Sequence, residues 1–227
     1  MTELPPAPPT VQLLKRDLFG SVSVVHNGAA ESYICRDVTT APWWTRPIAR
    51  ALARREARTL SRLDGLTGVP QLLHFDGLTL HRSYMAGEPM QVARPQNNAY
   101  FRAAQSLVFR MHRRGVVHND TAKEPNWLVL ADGSPGLIDF QLALCTQRRG
   151  RWFALLARED IRHLLKHKRT YAPAALTARQ QRILNTPAWT SRIWRRTVKP
   201  VYLFVTRRVL NWSDREGATD RGARSDR

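Results

Sequence analysis

The feature that most limits the fold is a polar loop set between short apolar runs in residues 115–143, GVVHNDTAKEPNWLVLADGSPGLIDFQLA. The loop carries Asp120 and Asn126, and Asp139 follows an apolar run that predicts a strand. The runs on either side of Asp132-Gly133 predict a small hairpin, because Asp-Gly favours a tight turn. We therefore expect the loop and the hairpin to bring three polar side chains to one cleft.

These three side chains have the chemistry of a magnesium site beside a reacting hydroxyl. A carboxylate and an amide oxygen are hard ligands suited to Mg²⁺, and a second carboxylate can orient or deprotonate a hydroxyl. Phosphoryl transfer needs a metal, a positioned nucleophile and neutralised charge. Aspartate and asparagine also favour turns, so loop capping is the alternative for each residue taken singly.

The rest of the chain is strand-rich at first and helical later. Strands are predicted over four stretches: 21–26, 32–38 (after an Asn27-Gly28 turn), 69–75 and 78–84. Helices are predicted over 47–63, over 98–114 with Gly115 closing it, and from about 155 onward. In the first helix we expect the buried stripe to be Ile48, Leu52, Leu60 and Leu63.

The two ends differ from this folded part. Residues 1–10 are proline-rich and predict a disordered arm without the features of a signal peptide, and polar residues 213–227 predict a loose tail. No stretch approaches the ~18 apolar residues of a spanning helix. The two cysteines, Cys35 and Cys145, are typical of reduced thiols in a cytoplasmic protein and not of a disulfide scaffold or a zinc site.

Positive charge is concentrated in the back of the chain. The formal charge is +18, of which residues 1–142 carry +4 and residues 143–227 carry +14. An anionic partner and a solvated arginine-rich surface both explain this bias. Residues 189–212 combine apolar residues at helical spacing with flanking arginines, which fits a basic amphipathic helix packed on the fold or lying on an anionic inner membrane face. Nucleic acid is less favoured, because no base-reading motif is visible.

The motifs HND, KEPNWLV and GLIDFQLA resemble the catalytic loop and metal-binding motif of the protein-kinase superfamily (His-x-Asp, Asn, Asp-Phe-Gly). The most similar branch is the small bacterial and archaeal one, with RIO-type kinases, lipopolysaccharide-core sugar kinases, aminoglycoside-type phosphotransferases and short RIO-like serine/threonine kinases. The resemblance covers roughly residues 11–170. It implies an α+β, bilobal kinase-like fold with a strand-rich N-lobe over 11–88 and a mostly helical C-lobe over 89–188.

The resemblance also implies ATP and Mg²⁺ as cofactors and assigns roles within the loop and hairpin. Asp120 would be the catalytic base, Asn126 and Asp139 would bind Mg²⁺, and His118 would brace the loop. Lys123 would neutralise γ-phosphate charge, although an exposed loop lysine fits its position equally well.

Other roles come from chain order. Arg36 would stand in for the phosphate-contacting lysine and pair with Glu56 of the first helix. Tyr84 and Met85 would belong to the hinge that holds adenine. Asp160 would hold the catalytic loop, unless it caps its helix or pairs with Arg162 or Lys166.

The sequence departs from the kinase pattern at several points. Arg36 replaces lysine, the interval from Asp120 to Asn126 is one residue longer than usual, Gln141 replaces the glycine after Asp139-Phe140, and the nucleotide-covering loop is poor in glycine. Three functions therefore stay open. One is a kinase acting on a small-molecule, lipid-linked sugar or protein hydroxyl. The second is a pseudokinase that serves as a nucleotide-binding or membrane-surface module. The third is a peripheral membrane or nucleic-acid adaptor that acts through the basic back half of the chain.

Overall fold

The computed structural model describes residues 10–26 and 32–185. Its strands are β1 (Thr10–Asp17), β2 (Gly20–His26), β3 (Tyr33–Asp37), β4 (Leu72–Phe75), β5 (Thr79–Ser83), β6 (Gly87–Pro89), β7 (Val116–Val117), β8 (Trp127–Leu130), β9 (Pro135–Leu137) and β10 (Leu144–Cys145). Its helices are α1 (Arg46–Arg62), α2 (Met90–Ala93), α3 (Asn98–Arg113), α4 (Arg151–Tyr171) and α5 (Ala178–Asn185). The chain divides into two compact units, of which the first ends at Gln181, and every element up to α4 lies in this first unit.

The first half of that unit is an antiparallel sheet with one long helix. The strand order is β1-β2-β3-β5-β4. Gly20, where β2 begins, has φ of +115°, and a Cβ there would collide with the carbonyl of Asp37. The start of α1 contributes Ala49 and Ala53 to a buried cluster with Val38, against which Phe19 packs. The turn between β1 and β2 is thus held against the body of the sheet.

The second half is built from helices and two small sheets. Strands β6, β8 and β9 form one antiparallel sheet, and β10 pairs with β7 in another. Trp127, the first residue of β8, is fully buried, and its indole Nε1 donates to the carbonyl of Thr121 at 3.0 Å. Helices α3 and α4 enclose the strand β7 from which the polar loop emerges, with Leu107, Met111 and Leu164 in the core. This packing gives the loop a rigid base.

The α+β architecture predicted from the sequence is confirmed, with two local differences. Strand β1 was not predicted, and it begins at Thr10, inside the expected arm. The buried face of α1 consists of Ala49, Ala53, Glu56, Ala57, Thr59 and Leu60. Ile48 was therefore wrongly placed in the core, since its side chain is 56% exposed. Small alanine side chains let α1 approach the sheet closely, and a stripe drawn through large apolar residues misses them.

Several predictions lie outside the described residues: most of the arm, the Asn27-Gly28 turn, the amphipathic helix over 189–212 and the tail over 213–227. Within 10–26 and 32–185, no helix combines the length and the apolar character needed to cross a bilayer. The predicted lobe boundary after residue 88 stays a prediction, and strand β6 runs across it.

Candidate active site

The polar loop starts from a tightly constrained point at the end of α3. Gly115 has φ of +75°, and a Cβ at this position would collide with the carbonyl of Thr146. Only glycine combines this backbone angle with such a close approach. Strand β7 then runs beside β10, with Val117 opposite Leu144, and delivers His118 fully buried. The direction of the loop is thus fixed before its first functional residue.

Asp160 of α4 holds the loop from below. Its Oδ2 accepts the backbone N–H of His118 at 2.9 Å and lies 3.1 Å from His112 Nε2. Its Oδ1 accepts the backbone N–H of Asn119 at 3.0 Å and the hydroxyl of Thr121 at 3.2 Å. A buried carboxylate with four polar neighbours orders the loop strongly. The bracing interpretation of Asp160 is confirmed by its hydrogen bonds to the backbone of His118 and Asn119, and Arg162 pairs with Glu159.

Three of the predicted site residues meet within the loop. Asn126 Nδ2 donates to Asp120 Oδ2 at 3.1 Å and to the Asp120 carbonyl at 2.9 Å. Lys123 Nζ lies 2.9 Å from Asp120 Oδ2. A single 3₁₀ turn over Glu124–Asn126 absorbs the extra residue of the loop, so Asn126 still reaches Asp120. With Nδ2 engaged in this way, the amide Oδ1 of Asn126 is the atom suited to a cation.

Asp139 is held beside this loop by backbone contacts of its neighbour. The N–H of Ile138 donates to the carbonyl of Asn126 at 2.9 Å, and His118 Nε2 lies 3.0 Å from the Ile138 carbonyl. Asp139 itself has φ of +67°, a left-handed conformation that is uncommon for a residue other than glycine. Such an angle directs the side chain of Asp139 away from the regular hairpin, and left-handed residues of this kind are often found at functional sites.

The electrostatic surroundings keep Asp139 ionised. Burial alone would raise its pKa, but Arg36, a hydrogen bond from Gln141, His118 and Lys123 together hold the pKa below its ordinary value. Gln141 Nε2 donates to Asp139 Oδ1 at 2.7 Å. The residue that replaces the expected glycine therefore orients the carboxylate. Arg36 of β3 and Lys123 of the loop both lie close enough to Asp139 to lower its pKa, and the Ile138 N–H bonds to the Asn126 carbonyl, so we place the loop, the hairpin and β3 around one candidate cleft.

A buried charge cluster forms the wall of this cleft in the first half of the fold. Glu56 of α1 is fully buried, with Oε2 3.3 Å from Arg36 Nε and Oε1 3.3 Å from Arg82 Nε. The predicted pairing of Arg36 with Glu56 is present. Neither carboxylate oxygen of Glu56 has an aligned hydrogen bond, so charge attraction dominates. We call Arg36, Glu56 and Arg82 the N-lobe charge cluster.

Arg82 is a member of this cluster that was not predicted from the sequence. Ile34 pairs with Arg82 and Arg36 with Leu80 across β3 and β5, so both arginines lie on the same face of the sheet. Burial lowers the pKa of Arg82, and Glu56 offsets part of this effect. The sequence pattern that could have revealed it is the alternation Leu80-His81-Arg82, which places an arginine on the same face of the predicted strand as the buried Leu80.

The two predicted hinge residues lie between β5 and β6. The backbone N–H of Tyr84 donates to the carbonyl of Ser32 at 3.2 Å, and its ring is 44% exposed. The methyl group of Met85 lies 2.9 Å from the position that a Cβ on Gly136 would take. Gly136 of β9 thus leaves room for Met85 against the hairpin that ends near Asp139. An adenine-binding role for Tyr84 and Met85 stays a prediction.

The donor set of the cleft is compatible with a magnesium ion held jointly by protein and nucleotide. Asp139 supplies an ionised carboxylate and Asn126 an amide oxygen, which are the hard donors that Mg²⁺ prefers. Among the described residues, no group of three or more His, Cys, Asp or Glu side chains is arranged to hold a metal by itself. Mg²⁺ is commonly bound by one or two protein oxygens together with phosphates and water, so two protein donors suffice.

Comparison with known proteins identifies the fold. No family model matches the sequence, and a search of curated proteins finds no match. The structure is similar to Rio2 kinase from Chaetomium thermophilum, with a TM-score of 0.57 and 13% identity, over 79% of this chain and 63% of that chain. It is also similar to the Rio2 kinase-ADP/Mg²⁺-phosphoaspartate complex from that organism, with a TM-score of 0.56 and 13% identity, over 80% and 62% of the two chains.

These similarities show that the chain has a bilobal protein-kinase-like fold. The chain spans less than two thirds of the length of the Rio2 chains it matches. At 13% identity the likeness establishes the fold alone. Function has to be argued from the residues in the cleft.

Proposed function

We propose that this chain is a phosphotransferase of the RIO-like branch that binds ATP with Mg²⁺ and transfers the γ-phosphate to a hydroxyl. The observation that carries the proposal is the convergence of Asp120, Lys123 and Asn126 within hydrogen-bond distance, beside an ionised Asp139. A carboxylate for the acceptor, a cation for the phosphate and two metal ligands are the components that this reaction requires.

Each residue has a distinct task in this proposal. Asp120 accepts the hydrogen bond of the acceptor hydroxyl and takes its proton as the oxygen bonds to the γ-phosphorus, while the bond from that phosphorus to the β-phosphate oxygen breaks and ADP leaves. Asn126 and Asp139 would hold Mg²⁺, which neutralises phosphate charge and orients the β- and γ-phosphates. Lys123 Nζ lies 2.9 Å from Asp120 Oδ2, and from there it would neutralise the charge of the transferred γ-phosphate. Arg36, anchored by Glu56, would contact the α- and β-phosphates with its guanidinium fork.

The acceptor belongs to one of three classes: a small molecule, a lipid-linked sugar or a protein serine or threonine. No Ala-Pro-Glu motif follows Asp139 in the sequence, and this departure from protein-substrate kinases favours the first two classes. An anionic inner membrane face, reached through residues 189–212, is a further proposed partner that suits a lipid-linked acceptor. Flotation with anionic and neutral liposomes tests this partner, and deletion of 189–227 is expected to abolish binding.

The test of phosphotransfer is ATP consumption by the purified full chain with a panel of sugars, lipid precursors and protein substrates. We expect Asp139→Ala to lower turnover at least about a hundredfold and Asp120→Asn to lower it by about 10²–10⁴-fold. Asp132→Ala is the matched control, because this carboxylate only caps the hairpin turn through the N–H of Ser134 at 2.9 Å. Equal turnover in wild type, Asp120→Asn and Asp139→Ala would refute the proposal.

The second candidate is a pseudokinase that binds nucleotide without turnover. The observation that favours it is that Arg36 occupies the position expected for lysine, with its Nε 3.3 Å from Glu56 Oε2. A thermal-shift titration separates the candidates together with the turnover assay. Stabilisation by Mg·ATP without any turnover on the full acceptor panel would support the pseudokinase.

A further inference from the structure

An open surface cavity lies away from the cleft, on the surface formed by α3 and the start of α4. Its volume is about 580 Å³, which is within the range of small-molecule sites. The residues that decide its chemistry are three arginines and two aromatic rings: Arg102, Arg113, Arg149, Phe109 and Phe153. We call it the α3–α4 cavity.

The polar wall of the α3–α4 cavity is cationic. Among the described residues, none that lines it is an aspartate or glutamate. Arg149 is held in place because its Nη2 donates to the carbonyl of Arg113 at 2.6 Å. The three arginines are exposed to solvent, and an anion lying among them would be attracted by all three charges.

The other wall of the cavity is apolar. Phe153 is buried and Phe109 is 47% exposed, so one ring forms the floor and the other the rim. His112 also lines the cavity, but its Nε2 is already engaged with Asp160 at 3.1 Å. The contacts to an anion would therefore come from the arginines, and the rings would contact an apolar group attached to it.

We propose that the α3–α4 cavity binds a phosphate monoester whose apolar part packs on Phe109 and Phe153 and whose phosphate lies among Arg102, Arg113 and Arg149. A guanidinium group pairs with phosphate through two parallel hydrogen bonds, and a monoester dianion matches a site with several arginines. The phosphate could come from a soluble aryl or alkyl ester or from a lipid headgroup such as phosphatidate. Both sources share the same chemistry.

Charge complementarity distinguishes this occupant from the chain's own C-terminal segment. Residues 189–212 carry arginines and a lysine but no acidic residue. Such a segment has the same sign as the cavity wall and would be repelled by it. An anionic ligand is the occupant that the wall favours. This site is separate from the proposed transfer of phosphate from ATP, and its binding is measured without nucleotide.

The experiment is titration calorimetry of the full chain with phenyl phosphate and with inorganic phosphate, alongside co-sedimentation with phosphatidylcholine vesicles with and without phosphatidate. We expect phenyl phosphate to bind more tightly than inorganic phosphate, because only the ester reaches the rings. Arg102→Gln and Arg113→Gln should each weaken binding about tenfold, the effect of losing a charge-assisted hydrogen bond. Arg169→Gln, an exposed arginine on α4 outside the cavity, is the matched control and should change affinity less than about twofold.

The two arms identify the source of the phosphate. Phenyl phosphate binding that weakens in Arg102→Gln and Arg113→Gln supports a soluble ester. Phosphatidate-dependent sedimentation that weakens in these two variants, and not in Arg169→Gln, supports a lipid headgroup. The proposal is overturned if neither binding signal changes in the two cavity variants, or if neither probe binds saturably to the wild-type chain.

Discussion

The two sides of the cleft are held by different kinds of interaction. On the helical side, Asp160 accepts backbone N–H groups of His118 and Asn119 at 2.9 and 3.0 Å. On the sheet side, Glu56 is held by two arginine side chains at 3.3 Å without an aligned hydrogen bond. The first arrangement is tied to the main chain, whereas every member of the second is a replaceable side chain. The polar loop should therefore tolerate less change than the N-lobe charge cluster.

The largest expected effect comes from removing the carboxylate of Asp160. Asp160→Ala leaves the buried N–H of His118 and the part-buried N–H of Asn119 without their acceptor, and the buried Thr121 hydroxyl keeps only the Asp160 carbonyl at 3.4 Å. A buried group that loses its partner costs about 1–3 kcal/mol. We expect the free energy of unfolding to fall by about 4 kcal/mol, as measured by urea denaturation. No second substitution can remove the backbone donors, so compensation within the loop is not expected.

The control for Asp160→Ala is Arg158→Ala, an exposed residue on the same helix. It should change the free energy of unfolding by less than about 0.5 kcal/mol. A loss in Asp160→Ala no larger than in Arg158→Ala would show that the four polar contacts do not stabilise the loop, and the contrast between the two sides would disappear.

A smaller loss is expected from Glu56→Gln. Neutralising this fully buried carboxylate leaves Arg36 and Arg82 facing each other without a counter-charge, and breaking a buried ion pair costs about 3 kcal/mol. Replacing the whole N-lobe charge cluster should recover most of that loss, because apolar residues of similar volume often substitute for buried ions. Urea denaturation of Glu56→Gln and of the triple variant Arg36→Met/Glu56→Leu/Arg82→Met measures both effects.

Recovery in the triple variant would confirm that the cluster stabilises the fold through replaceable side chains. A triple variant less stable than Glu56→Gln would contradict this view. The cluster would then be as hard to replace as the hydrogen bonds of Asp160. Turnover should nevertheless be lost in the triple variant, because Arg36 is the proposed phosphate contact. Stability and activity are thus separable at this site.

The same contrast explains how much of the site could be predicted from the sequence. Asp120, Lys123 and Asn126 lie within one short loop, where spacing alone limits the distances between side chains, and the structure brings them together. Arg82 was missed because its contact depends on the register between β3 and β5. Register depends on the pairing of the whole strand, which the spacing of a few residues does not determine.

Larger parts of the fold show the same limit. The strand–helix order of the chain was predictable from turns and apolar periods. Strand β1 was missed because its apolar residues do not alternate as those of a half-buried strand do. Val11, Leu13 and Leu14 are all exposed on this edge strand. The buried face of α1 was misplaced because alanine gives little hydrophobic signal, although Ala49 and Ala53 are among the most buried residues of the chain.

The smallest of the three expected losses of stability occurs at low pH, and it arises from histidines on the helical side alone. Burial lowers the pKa of His163 on α4 to about 4, and burial also lowers the pKa of His167, whose Nε2 lies 2.9 Å from the carbonyl of Thr121 in the loop. The N-lobe charge cluster contains no histidine. Mild acid should therefore weaken the side that holds the polar loop and leave the charge cluster unaffected.

The sign follows from proton binding in the two states. An unfolded histidine has a pKa of about 6.5, so between pH 6.5 and about 4 the unfolded chain binds a proton at His163 that the native chain does not. Stability is complete above pH 6.5 and falls as the pH drops through this window, by about 2 kcal/mol at pH 5 from His163 alone. In urea denaturation at pH 7 and pH 5, His163→Gln should lose that share of the pH dependence, whereas Arg169→Gln should keep it. An unchanged pH dependence in His163→Gln would mean that His163 does not resist protonation in the native state, and acid would then not distinguish the two sides of the cleft.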